Sequence, residues 1–77
     1  MRLKWTNGGG GDVDLFNDGR LAGWVDGEVR PYEVHISYSL ASDMMPCENA
    51  EYVTLREAMR ALKETVVVLL IGREYGP

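Results

Sequence analysis

One histidine and one cysteine are the side chains of this 77-residue chain best suited to catalysis or metal binding. His35 lies between Glu33 and Ser37 in an alternating segment, where an imidazole can act as a general acid or base. Cys47 lies in an acidic stretch, which disfavours the reactive thiolate. The spacing of the two residues matches no zinc pattern, and a second cysteine is missing from the sequence. The sequence therefore predicts no catalytic residue, no metal and no cofactor.

Aspartates and glycines form the second candidate set. Asp18 and Asp26 each precede a glycine, which is typical of a tight hairpin turn. Asp12 and Asp14 share one face of a predicted strand but do not complete a calcium loop. The glycine run 8–11 precedes these acids rather than Lys-Ser/Thr, so we predict a loop and not a phosphate site. With little room for a cleft in so short a chain, the sequence predicts a protein that is not an enzyme.

The charge distribution favours a protein-binding role. Residues 12–51 hold nine acidic residues against two arginines, a net charge of -7 within an overall charge of -4. This excess favours a basic protein partner and disfavours direct contact with nucleic acid or a membrane surface. The predicted partner-binding residues lie in the acidic hairpins and in the loop 41–51, where two adjacent methionines offer adaptable contact area. They are Asp12, Asp14, Asp26, Glu28, Met44, Met45 and Glu48.

Three alternatives stay open. A nucleic-acid-binding module would use the basic residues of the C-terminal segment together with those near the N-terminus: Arg56, Arg60, Lys63, Arg73, Arg2 and Lys4. An acidic mimic of nucleic acid would instead block a nucleic-acid-binding protein. Finally, the predicted C-terminal helix has a main apolar stripe formed by Leu55, Ala58, Met59, Leu62, Val66, Leu69 and Leu70. Val67, Val68 and Ile71 lie off this stripe, which indicates a contact between two copies of the chain or a partner site.

The N-terminal half is predicted to form strands. Met1–Thr6 alternates between apolar and polar residues, as a half-buried strand does. A two-residue turn at Asp18-Gly19 would pair Leu15 with Ala22 and Val13 with Trp24. Trp24 would then lie at the centre of the core, and Trp24→Ala is predicted not to fold. Asp26-Gly27 predicts a second turn of the same type, and Tyr32–Leu40 alternates as a long strand.

The C-terminal segment Tyr52–Gly72 is predicted to form one amphipathic helix that covers the sheet. Thr54 and Glu57 fit a capping box, with Val53 and Ala58 at the staple positions. Gly72 is predicted to end the helix, and residues 73–77 to be a flexible tail. The β-branched run Thr65–Ile71 leaves a final strand as the alternative, giving β-β-β-α-β.

These elements predict one α+β domain over residues 1–72, with a three- or four-stranded antiparallel sheet packed by one C-terminal helix. The helix is expected across the face that carries Trp24 and Val34. The longest apolar run, Val66–Ile71, is far too short to span a bilayer. With no secretory signal and a single cysteine, we expect a cytoplasmic protein.

The order of three segments resembles that of small uncharacterised proteins of actinobacterial phages. These segments are Leu21-Ala22-Gly23-Trp24-Val25, the alternating strand from Tyr32 to Tyr38, and the Leu-x-Glu-Ala helix in residues 54–62. The resemblance spans Asp12 to Gly72. It implies an α+β fold, a phage origin and binding to a protein of the host cell, for which a nucleic-acid-binding protein is one candidate. It brings no catalytic residues.

Overall fold

The computed structural model describes residues 1–37 and 50–75. Four strands come first, β1 (Leu3–Asn7), β2 (Val13–Asn17), β3 (Arg20–Asp26) and β4 (Glu33–Ile36), and the helix α1 (Leu55–Tyr75) follows them. A short 3-10 turn, Gly9–Gly11, connects β1 and β2. The strands form one antiparallel sheet in the order β1-β2-β3-β4. This architecture confirms the predicted α+β class with a four-stranded sheet and one C-terminal helix.

The hydrophobic core lies between one face of the sheet and α1, which packs mainly against β3 and β4. Its buried side chains come from β2, β3 and β4 and from one stripe of the helix: Leu15, Ala22, Val25, Val34, Ile36, Ala58, Leu62 and Val66. Leu3 and Trp5 of β1 pack against the edge of this core. The predicted helical stripe and the alternation of β1 and β4 are therefore confirmed.

A bulge in β3 overturns the predicted position of Trp24. Phe16 pairs with Leu21 as expected, but Leu15 pairs with Gly23 instead of Ala22. The extra residue turns every later side chain of β3 to the opposite face. Val25 is consequently buried, whereas Trp24 lies on the face away from α1 and is only partly buried. The prediction that the helix covers Trp24 is wrong, while the prediction for Val34 is right.

The two Asp-Gly pairs behave differently. Asp18 and Gly19 have φ values of 50° and 82°, as the predicted hairpin turn requires. Asp26 ends β3, and neither it nor Gly27 has a positive φ, so the second predicted hairpin turn is wrong. The chain instead bends through residues 27–31, with a cis peptide between Arg30 and Pro31. Gly27 packs so closely that a Cβ there would collide with the carbonyl group of Gly11.

The segment before α1 is tied to the start of β4. Tyr32 and Tyr52 form an isolated antiparallel bridge, in which the Tyr32 N–H donates to the Tyr52 carbonyl at 2.8 Å. Val34 and Ile36 are buried, as the alternation of this strand predicts. The rest of the predicted strand, Tyr38 to Leu40, and most of the predicted loop 41–51 lie outside the described residues.

The helix begins as predicted and ends later. The N–H of Glu57 donates to Oγ1 of Thr54 at 3.1 Å, so Thr54 caps the helix. Val53 is 81% exposed and therefore does not form the predicted staple. α1 continues through Thr65–Ile71, which excludes the alternative strand, and through Gly72 to Tyr75. The predicted helix end at Gly72 is wrong, because this glycine keeps a negative φ and the chain does not turn there.

The position of Gly72 inside the helix predicts that Gly72→Ala stabilises the protein by up to about 1 kcal/mol, the difference in helix propensity between the two residues. A Cβ at this position meets nothing within 4 Å. Chemical denaturation of the variant and the parent protein measures the difference. A loss of stability would instead indicate a left-handed residue that ends the helix, since alanine is strained in that conformation.

Candidate functional site

The sheet face away from α1, which we call the open face, has no element packed on it within the described part of the chain. A row of directly paired residues crosses all four strands on this face: Thr6, Asp14, Trp24 and His35. Lys4, Phe16 and Leu21 form the row on one side, and Asp26 and Glu33 form the row on the other. The open face therefore carries aromatic residues in its middle and charged residues on both sides.

Trp24 and His35 form the centre of the open face. Their rings are stacked, with centroids 5.2 Å apart and planes inclined by 20°. Each is partly exposed, and the two residues are direct partners across β3 and β4. Trp24 thus supplies a large apolar surface whose orientation is held by a neighbouring ring.

The two sides of the open face have opposite charge. Arg2 and Lys4, together with Thr6 and Phe16, line a shallow depression that ends at the turn Asp18-Gly19. On the other side, Asp26 and Glu33 lie opposite each other, and Asp14 lies next to them in the central row, paired with Trp24. A ligand lying across the face would meet positive charge at β1 and negative charge from β2 to β4.

The structure divides the predicted partner-binding residues into three groups. Asp14 and Asp26 lie on the open face. Asp12 lies in the loop before β2 and Glu28 in the bend after β3, where the Glu28 carboxylate lies over Gly10. Met44, Met45 and Glu48 lie outside the described residues. Only two of the seven predicted residues are therefore brought together on one face of the sheet.

Asp12 has a structural contact. Its Oδ1 accepts a hydrogen bond from the Gly27 N–H at 2.9 Å, across fifteen residues of sequence. This bond joins the glycine loop to the bend after β3, at the place where Gly27 packs against Gly11. The contact gives Asp12 a role in holding two loops together.

We expect Asp12→Ala to destabilise the protein by about 1–2 kcal/mol, because the Gly27 N–H loses a charged acceptor. Asp12→Asn retains an acceptor oxygen and serves as the matched control, with a smaller loss. Thermal unfolding of both variants measures the effect. Equal stability of Asp12→Ala and the parent protein would contradict the structural contact.

Three potential metal ligands meet on the acidic side of the open face. One oxygen of Asp26, one oxygen of Glu33 and one ring nitrogen of His35 lie within 4.8 Å of one another. The sequence predicts Glu33 as a neighbour of His35 and offers Cys47 as a second ligand, but it does not indicate that Asp26 lies beside them. The Glu33-x-His35 spacing on one strand was a usable signal, but Asp26 joins it only through the register of β3 and β4.

The outer face of α1 is the main alternative surface. Arg56, Arg60 and Lys63 are exposed, as are Glu57 and Glu64, and Arg60 pairs with Glu64 at 3.5 Å. Of the three apolar residues predicted to lie off the main stripe, Val68 and Ile71 are 68% and 45% exposed on the last turns, whereas Val67 is partly buried. The helix surface is therefore mixed in charge, and its use in self-association stays a prediction.

Comparisons with known proteins add no relative. No family model matches the chain, and neither the curated proteins nor the solved structures include a significant match. Within the described residues, no helix is both long enough and apolar enough to cross a membrane.

Proposed function

We propose that this chain is a non-enzymatic binding module that docks a basic protein surface on the open face of its sheet. The observation that carries the proposal is the stacked Trp24–His35 pair, which is surrounded on β2, β3 and β4 by acidic side chains. Large amphipathic aromatic residues at the middle of a surface are typical of protein interfaces. The partner would place its apolar contact against Trp24.

Charge supports a basic partner. Asp14, Asp26 and Glu33 lie on three adjacent strands around Trp24, and the chain as a whole carries a charge of -4. Opposite charges across an interface increase the association rate and exclude acidic competitors. Arg2 and Lys4 at β1 would orient the partner on the open face, because an acidic group of the partner would be attracted to them.

The resemblance to phage proteins bears on the identity of the partner. If the chain is phage-encoded, the partner is a protein of the host cytoplasm, and a nucleic-acid-binding protein would supply the basic surface that the acidic residues favour. In that form, the acidic side of the open face acts as a mimic of nucleic acid. Met44, Met45 and Glu48, which lie outside the described residues, stay predicted partner-binding residues of the same proposal.

Affinity capture with matched variants tests the proposal. The open-face variant Asp14→Asn/Asp26→Asn removes two acids, and the helix variant Arg56→Gln/Lys63→Gln removes two bases from the outer face of α1. The captured protein is then purified, and its affinity for each variant is measured at low and high salt. We expect the open-face variant to bind the partner at least tenfold more weakly than the parent protein does. The affinity of the parent protein should fall as salt is added.

Two results would contradict the proposal. Equal affinity of the parent protein and the open-face variant would show that the acidic side is not part of the interface. Loss of affinity in the helix variant alone would show that the interface lies on α1. A gel shift with DNA and RNA at low salt tests the nucleic-acid alternative, for which binding must weaken steeply as salt is added.

A further inference from the structure

The pairing of β3 with β4 places two carboxylates directly opposite each other. Asp26 and Glu33 are register partners, and both project from the open face. Like charges in this arrangement destabilise a sheet, unless a cation lies between them. The turn between the two strands offers no such cation, because the Arg30 guanidinium donates to the carbonyls of Gly27 and Val29 and lies over the Tyr32 ring.

His35 completes a set of three ligands. It lies two residues after Glu33 on the same strand and on the same face, with Nε2 3.7 Å from Oε2 of Glu33. The three ligand atoms lie within 4.8 Å of one another. Ligands of a tetrahedral zinc ion are about 3.4 Å apart at bond lengths of about 2.1 Å. Each separation must therefore shorten by at most about 1.4 Å, a distance that side-chain rotation of these partly or fully exposed residues can supply.

Two of the three ligands are already held in place by other groups. Oδ1 of Asp26 accepts a hydrogen bond from the Glu28 N–H at 2.9 Å, which orients the carboxylate and leaves its second oxygen for a metal. The imidazole of His35 is stacked on Trp24. Supporting contacts of this kind orient metal ligands and reduce the cost of assembling a site.

We propose that Asp26, Glu33 and His35 bind one divalent transition-metal ion on the open face. One imidazole and two carboxylates suit zinc, cobalt, nickel and copper better than calcium or magnesium, which prefer oxygen ligands alone. Water completes the coordination sphere, because the side chains of His35 and Glu33 are 39% and 52% exposed. The site does not depend on the proposed protein partner, since all three ligands belong to this chain.

Titration of the purified chain with zinc chloride and with cobalt chloride tests the site. Calorimetry gives the stoichiometry and affinity for zinc, and the visible absorption of cobalt reports a nitrogen and oxygen coordination sphere. His35→Gln and Asp26→Asn each remove one ligand. Asp14→Asn is the matched control, because it removes the same charge from the same face, next to Trp24, but lies outside the ligand set.

We expect one zinc ion per chain, with binding weakened at least tenfold in His35→Gln and in Asp26→Asn and changed less than threefold in Asp14→Asn. Cobalt is also expected to quench the fluorescence of Trp24, which stacks on the ligand His35. Equal binding by all variants, or loss of binding only in Cys47→Ser, would place the metal elsewhere and overturn the proposal. Absence of binding at millimolar zinc would overturn it as well.

Discussion

Leu62→Ala is expected to remove most of the stability of the protein. Leu62 is fully buried, and its Cδ1 atom lies against Gly23, only 2.7 Å from where a Cβ of that residue would be. Truncating a buried leucine costs about 2–5 kcal/mol, and a domain of this size has about 5 kcal/mol of stability. The missing methyl groups leave a cavity that the backbone of the bulge cannot fill. Circular dichroism during thermal unfolding measures the loss.

Val68→Ala is the control for this prediction, because it truncates another aliphatic side chain of α1 that is 68% exposed. We expect a change of less than about 0.5 kcal/mol, as for most surface substitutions. A Leu62→Ala protein that melts within a few degrees of the parent would contradict the position of α1 on the sheet, since 1 kcal/mol corresponds to about 4–8 °C in a domain of this size.

Trp24→Ala has the second large expected effect, and the effect is on binding. The sequence alone placed Trp24 in the core and predicted that this variant would not fold. On the open face, the variant loses the stacking on His35, and we expect it to remain folded with a loss of about 1–2 kcal/mol. Its affinity for the partner should fall by at least about thirtyfold, equivalent to about 2 kcal/mol for a central aromatic residue.

Trp24→Phe is the matched variant, because it retains an aromatic ring that can stack on His35. Its stability should lie close to that of the parent protein, and its affinity should lie between those of the parent and Trp24→Ala. A Trp24→Ala protein that is insoluble or melts without cooperativity would show that Trp24 lies in the core, as the sequence predicts. A folded variant with unchanged affinity would exclude Trp24 from the interface.

Local signals in the sequence predicted much of the fold. The alternation of β1, the Asp18-Gly19 turn and the Thr54 cap are each determined by residues close in sequence, and each is present in the structure. The helical stripe from Ala58 to Val66 is buried as its spacing predicts. The order of strands and helix follows from these elements, because short antiparallel connections place neighbours in sequence next to each other.

The bulge was the feature that the sequence could not show. Apolar residues run without interruption from Leu21 to Val25, so alternation does not indicate which of them face the helix. Ala22 and Gly23 both fit under α1 because they are small, and the close approach of Leu62 to Gly23 depends on tertiary packing. One extra residue therefore moved Trp24 to the opposite face.

The candidate site depended on the same information. His35 was recognised from its residue type, but its neighbours Trp24 and Asp26 are on another strand and are set by the register of β3 and β4. That register follows a bend over residues 27–31 in place of the predicted two-residue turn. The late end of α1 was missed for a similar reason, since a glycine near a helix end indicates a stop only when it adopts a positive φ.

Photo-crosslinking from single positions tests most directly whether the open face is the docking surface. A photoreactive amino acid is placed at Thr6, in the same row as Trp24, or at Arg56 on the outer face of α1, and the adducts formed in producing cells are identified by mass. We predict one protein adduct from position 6, absent in the Trp24→Ala background, and none from position 56. Protein adducts from position 56 alone, or nucleic-acid adducts from either position, would contradict the proposal that the open face docks a protein.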